Sequence, residues 1–307
     1  MENTGKKLEN LVAQIEKLLL PENFTVTANE RVFNDEGIQI AEFDIEINGR
    51  LGSTDIKWLI ECRDRPKDGH APASWVEQLV GRRDRFGFNK ITAVSTTGFS
   101  QGAIEYAKES GIEIRTVKEI SFDDISNWFQ MTHVTLINRI CNLKNAMLLI
   151  EQDTSEIIRQ SLKEVLVNQG PNAPILIFTG TGEAVRPMDA FQAVVSENVE
   201  LYDDIEANSG SKKVKIKAIY QNDDSHFIVR TSKGDVRIRE ILFEGTLKVA
   251  INEIPIDGIT KYSKDIENEA IAHSVSFRLN LGNENVGLEF HKLAHTGETH
   301  VLLRKGK

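Results

Sequence analysis

Between residues 8 and 117 the chain alternates helix-like and strand-like segments in the order helix-β-β-β-helix-β-helix-β. That order is an α/β pattern with a mixed sheet. The opening segment, Leu8 to Leu20, places Leu8, Leu11, Val12, Ile15, Leu18 and Leu19 on one helical face, and Pro21 stops it. Strands are predicted over Phe24–Ala28 and Ile38–Ile47. In the second, Phe43, Ile45 and Ile47 share one face and Glu42, Asp44 and Glu46 the other. Ile38 and Ile40 have the opposite parity, which predicts a register shift or bulge near Ala41. A turn around Asn48–Ser53 returns the chain as the strand Asp55–Cys62. A helix follows to about Phe86, with Ser74 as its cap and Glu77 completing a capping box. Ile91–Ser95, a helix over Ser100–Ser110 closed by Gly111, and Ile112–Val117 finish the pattern.

The rest reads differently. A short helix is predicted over Phe122–Phe129, strands over Val134–Cys141 and Ala146–Ile150, and a helix over Thr154–Val167. From Ile175 onward the signal is mostly β: Lys213–Tyr220, His226–Thr231, Asp235–Phe243, His273–Leu279, Val286–Phe290 and His300–Leu303. A length of 307 residues suits about two domains. The expected organisation is an α/β domain with a mixed central sheet over 1–118, a helical or mixed connector over 119–170, and a β-rich sandwich- or barrel-like domain over 171–307. With only Cys62 and Cys141, no disulfide framework is expected, and a reducing cytoplasm fits. Glu9, Gln14 and Glu16 make the first helix unlike a signal peptide, and no apolar run is long enough to span a membrane.

The chemistry is concentrated in two strands. Asp44 and Glu61 lie on strands joined by a short turn, where paired carboxylates can share a hard cation such as Mg²⁺. Glu61 follows Leu59 and Ile60, and a carboxylate in such an apolar run is costly unless paired or metal-bound. Arg63 points to the same face as Glu61, and so does Lys57. Lys57 lies about 13 Å from Glu61 along the strand, too far for easy contact.

Asp44 followed by Glu61-Cys62-Arg63 resembles the Asp…Glu-x-Lys core of the PD-(D/E)xK nucleases. Residues 8–117 are more specifically similar to the Mrr-like catalytic domain of type IV restriction endonucleases. The opening helix with Glu9, Gln78 in the helix after the core strand, and the runs Asn89–Ser100 and Gly102–Ala107 follow that family's order. The resemblance implies a metal-dependent DNA endonuclease, acting in prokaryotic restriction or anti-phage defence. Asp44 and Glu61 would bind Mg²⁺ or Mn²⁺, Arg63 would stand in for the lysine, and Glu9, Gln78 and Lys57 would be accessory. Arginine can stabilise phosphoryl charge but cannot act as a base. A catalytically silent binding protein on the same fold, and a nuclease that fires only with a partner or ligand, are the competing readings.

A net charge of −9 argues against tight sequence-blind DNA binding by the chain as a whole. Arg82, Arg83, Arg85 and Lys90, with Arg65 close by, form the best local candidate for phosphate contacts. The C-terminal half would supply target recognition, a homodimer interface or contact with a defence partner. The Gly-x-Gly of Phe178–Glu183 reads as a loop, and His291, His295 and His300 lack zinc-ligand spacing.

Overall fold

The computed structural model describes residues 4–167, 169–170, 172–265, 268–282 and 284–305. They divide into two compact units, 1–134 with 254–307, and 135–253.

The first unit opens with α1 (Thr4–Leu19), followed by β1 (Thr25–Phe33), β2 (Gln39–Leu51) and β3 (Thr54–Arg63). Two crossovers follow: α2 (Ala73–Phe86) to β4 (Lys90–Ser95), and α3 (Gln101–Ser110) to β5 (Glu113–Glu119). β1, β2 and β3 pair antiparallel, whereas β3, β4 and β5 pair in parallel. The sheet is therefore mixed, as the order of elements predicts. Ile91–Ser95 of β4 is buried throughout, the mark of a central strand covered on both faces. Leu59, Ile91 and Ala93 pack with Val76 and Leu79 of α2 and Ala103 and Ala107 of α3. Ile45, Ile47, Trp58, Ile60 and Val94 pack under Leu8, Val12 and Ile15 of α1.

Several local expectations change. The first crossover helix begins at Ala73, with Pro72 as its cap residue and no side-chain cap, so the Ser74 cap is not formed. The backbone bridge between Ala71 and Phe99 fixes the chain just before that helix. The α3 ends are as read: Ser100 Oγ accepts from Ala103 N–H at 3.3 Å, and Gly111 is left-handed. The register shift near Ala41 is present, with Val32 opposite Ala41 and Phe33 opposite Gln39, leaving Ile40 as the extra residue. A second irregularity was not foreseen. The β1–β2 ladder skips the Asn29–Asp44 pair, and Asn29 has a φ of 57°. Phe43 joins the α2–α3 core, while Ile45 and Ile47 join the α1 core. The three do not share one face.

The largest correction concerns the chain after β5. β6 (His133–Leu149) is one continuous strand where two were expected, and Phe122–Phe129 forms turns rather than a helix. Then come α4 (Glu156–Leu166), β7 (Leu176–Phe178), β8 (Ala184–Val185), α5 (Pro187–Glu197) and β9 (Lys212–Ile219). β10 (Phe227–Thr231), β11 (Gly234–Ile238) and β12 (Glu240–Pro255) follow. The run expected over Asp235–Phe243 is thus split at Arg239.

Last are β13 (Gly258–Lys264), β14 (Ala270–Leu281), β15 (Glu284–Leu293) and β16 (Thr299–Lys305). These four do not belong to a separate C-terminal body. β13 pairs antiparallel with β5, and the sheet runs β1-β2-β3-β4-β5-β13-β14-β15-β16. Boundaries at 118 and 170 therefore do not match the compact units, because β5 has a free edge that a late hairpin fills. Tyr262, Ala272 and Leu293 from these strands complete the core beneath α1.

The second unit has a three-stranded sheet, β6-β12-β9, and a four-stranded sheet, β11-β10-β7-β8, together with α4 and α5. Phe191, Phe243, Leu247, Val229 and Ile238 lie at its core. Only glycine fits at Gly245, where a Cβ would come within 2.7 Å of the Asn142 carbonyl and the Phe191 ring. The Gly-x-Gly segment is the turn between β7 and β8, closed by Gly182 N–H donating to Phe178 O at 2.7 Å.

Candidate active site

The β2–β3 ladder runs from Leu51–Thr54 to Ile45–Ile60 and stops there. The next residues are Asp44 and Glu61. Beyond this point a side chain replaces the backbone partner: Cys62 N–H donates to Asp44 Oδ2 at 2.7 Å. The skipped pair on the other side of β2 frees the same residue from the β1 ladder. Asp44 is therefore held at an opening in the sheet. Glu61 is buried, and Glu9 of α1 carries a buried Oε2 with no hydrogen-bond partner among the described residues.

The three carboxyl groups sense one another. Burial pushes the Glu61 carboxyl up to about 8, with the Asp44 and Glu9 charges adding to the effect. Burial also raises Asp44 and Glu9, and for Glu9 the nearby Asp44 charge contributes. Arg82 pulls both Asp44 and Glu61 the other way without outweighing burial. The consequence for stability has a definite sign. Between the ordinary value of 4.5 and about 8, the folded chain holds a proton on Glu61 that the unfolded chain has lost. This contribution is full below the lower value and is lost as the pH rises through the upper one. Thermal melts in EDTA are expected to fall over that window, and Glu61→Gln is expected to flatten the fall.

Asp44 and Glu61 offer only oxygen donors, held close and at an electrostatic cost that a cation would relieve. That fits Mg²⁺, which binds through one or two carboxylates and keeps waters or phosphate oxygens for its other positions. Among the described residues no group of three or more His, Cys, Asp or Glu side chains is arranged as a metal cage. The fit is therefore to a hard ion held by two carboxylates.

Residues 1–122 match the family model of the Mrr catalytic domain, described as restriction endonuclease. The match ends at Phe122, just past β5, and leaves β6 to β16 outside it. No curated protein matches the chain. One solved structure, described as a protein of unknown function AF1548, is 20% identical with a TM-score of 0.29. It covers 36% of this chain, and the chain spans 56% of its length, a likeness too slight to bear on fold or function.

Within the Mrr-like segment the other candidates are dispersed. Arg63 does not face the carboxylate pair as its closest partner. Its Nη2 lies 3.6 Å from Asp68 Oδ2, and its Nε is buried without a hydrogen bond among the described residues. Arg65 pairs with the same Asp68 at 3.7 Å and is exposed. The cation on Glu61 is Arg82, read in the sequence as a phosphate contact. Its Nη1 donates to Glu61 Oε1 at 2.6 Å and to Glu42 O at 3.0 Å. Position 82 is one helical turn after the exposed Gln78, so both lie on the same side of α2. Helical spacing was the available signal for Arg82, and the run of neighbouring arginines masked it.

Of the rest of the basic cluster, Arg83 and Lys90 are committed elsewhere, and Arg85 is exposed. Arg83 donates to Ser110 O at 2.7 Å, Lys90 pairs with Glu113 at 2.6 Å, and Arg85 lies over the Phe86 ring. Lys57 sits 3.6 Å from Glu46 and over Phe88, away from Glu61. Lys57→Gln is therefore expected to leave DNA cleavage within about a factor of three, the usual range for such a position. A plasmid assay checks it. No helix among the described residues is long and apolar enough to cross a membrane.

Proposed function

We propose that this protein is a metal-dependent DNA endonuclease acting in prokaryotic restriction or anti-phage defence. The observation that carries this reading is the placement of Asp44 and Glu61 at the opened end of the β2–β3 ladder, inside the segment that matches the restriction endonuclease family. Asp44 and Glu61 would hold Mg²⁺ or Mn²⁺. Such an ion, when bound, supplies Lewis acidity toward the phosphate and lowers the pKa of water. The residues of the chain do the rest. The Cys62 N–H fixes the orientation of the Asp44 carboxylate. Burial keeps bulk water from competing for Glu61. Glu9 of α1, whose charge acts on Glu61, would be accessory, as would Gln78, one helical turn before Arg82 on α2. DNA phosphate would meet Arg82 and the exposed Arg65 and Arg85, while Arg63 would need to leave Asp68 to reach it.

That last requirement favours a second reading, a silent nuclease fold that binds DNA or protein without cutting. The two part on one assay. Supercoiled plasmid, methylated and unmethylated, is incubated with the full chain and Mg²⁺ or Mn²⁺, beside Glu61→Gln. The nuclease reading expects nicking or linearisation that the variant loses. A metal-dependent shift in DNA mobility with no strand break would support the silent fold. A homodimer, or a defence partner bound through the second unit, would supply a second active site for cutting both strands. Sedimentation with duplex tests the homodimer.

A further inference from the structure

Arg82 belongs by sequence to the basic cluster expected to contact phosphate, but its guanidinium lies on the Glu61 carboxylate. We propose that Arg82 is a latch that competes with the divalent cation for Glu61 and is released when DNA phosphate offers the guanidinium another partner. This inference rests on the nuclease reading above and adds its regulation.

The two cations would share one buried carboxylate. Arg82 Nη1 lies 2.6 Å from Glu61 Oε1. A metal ion on that oxygen would sit about 2.1 Å away. The carboxylate would then carry a divalent ion and a guanidinium at once, in a buried place where repulsion is weakly screened. The two positive charges disfavour each other there, so the ion and the guanidinium compete for Glu61. Arg82 is able to leave: its side chain is 37% exposed, whereas that of Glu61 is 8% exposed. Its remaining bond is to a single carbonyl, Glu42 O. A phosphate is the stronger alternative, because it matches the guanidinium fork with two parallel bonds.

The latch links the two ligands. If phosphate frees Glu61 for the metal, DNA tightens metal binding, and metal tightens DNA binding by the same factor. The protein without DNA then keeps Glu61 capped and binds metal weakly. Arg82 acts here as a positioning residue through Glu61.

Mn²⁺ titration of the full chain, followed by electron paramagnetic resonance, tests the proposal without relying on cleavage. Arg82→Gln is expected to bind Mn²⁺ at least about tenfold more tightly than the unaltered chain, the scale of one charged hydrogen bond. Arg82→Lys is expected to fall between them, and Asp44→Asn to lose the site. Saturating phosphorothioate duplex is expected to tighten Mn²⁺ binding to the unaltered chain by a clearly larger factor than to Arg82→Gln, where only direct phosphate ligation remains; equal factors would overturn release by phosphate. Equal or weaker Mn²⁺ binding by Arg82→Gln would overturn the latch while leaving the metal site intact. Unaltered Mn²⁺ affinity with duplex bound would overturn release by phosphate. If neither the unaltered chain nor Arg82→Gln binds Mn²⁺ through Asp44, the metal-site reading falls and the latch with it.

Discussion

Asp44→Asn is expected to reduce metal-dependent plasmid cleavage by about a thousandfold or more, the scale of a lost Lewis-acid site. The fold is expected to survive. Asparagine keeps a carbonyl oxygen that can accept the Cys62 N–H, so the bond that replaces the ladder is retained. What disappears is the negative charge. Asp44 also raises the Glu61 carboxyl, so its neutralisation should lower the pH at which Glu61 ionises. Melting of the variant should stay within a few degrees of the unaltered chain. A large loss of stability would mean that Asp44 is chiefly structural.

Arg115→Met is expected to have the largest effect on folding. Arg115 of β5 donates to Glu16 of α1 at 2.5 Å and to the Tyr262 hydroxyl of β13 at 2.7 Å. Tyr262 in turn donates to Glu16 at 3.0 Å. Glu16, Arg115 and Tyr262 are all buried. Removing the guanidinium strands the Glu16 carboxylate in the core, which costs about 3–5 kcal/mol. For a unit of this size that is a fall of about 10 °C in melting midpoint. Replacing both charges with apolar residues, Glu16→Leu with Arg115→Met, should recover part of the loss: no carboxylate is stranded in the core, but the buried Tyr262 hydroxyl loses both partners and Glu113 keeps only Lys90. A single variant that melts normally would mean that the triad contributes little.

The triad also explains why the first half of the chain was legible and the second was not. The order helix-β-β-β-helix-β-helix-β could be read because Ile91–Ser95 and Ile112–Val117 are local apolar runs separated by helix-length segments. Asp44 and Glu61 were legible because their neighbours on both strands are apolar. The edge of β5 gives no such signal. Its partner is more than a hundred residues away, and in β13 only Tyr262 and Ser263 are buried, so no alternation marks the strand. The helix at Pro187–Glu197 did carry a local sign, Pro187 at its first position and the Arg186–Asp189 capping box, but the strands around it dominated the reading.

Within the site, alternation along β3 gives Glu61 and Arg63 the same strand parity. It could not show that Asp68, five residues later in the loop, would draw the arginine aside. Nor could it show that Arg82 would take its place on Glu61. Both outcomes depend on how α2 crosses the sheet, which strand parity does not encode. Phe43 illustrates the same limit. It joins the α2–α3 core while Ile45 joins the α1 core, and between them the ladder skips Asp44 opposite the left-handed Asn29.

The central claim is that Asp44 and Glu61 together hold the ion that cuts DNA. Cleavage of supercoiled plasmid by the full chain, compared in Mg²⁺ and in EDTA beside Asp44→Asn, tests it most directly. The account predicts nicked or linear DNA in Mg²⁺ alone, with intact plasmid in EDTA and with the variant. Cleavage that persists in EDTA, or that Asp44→Asn carries out as fast as the unaltered chain, would contradict it.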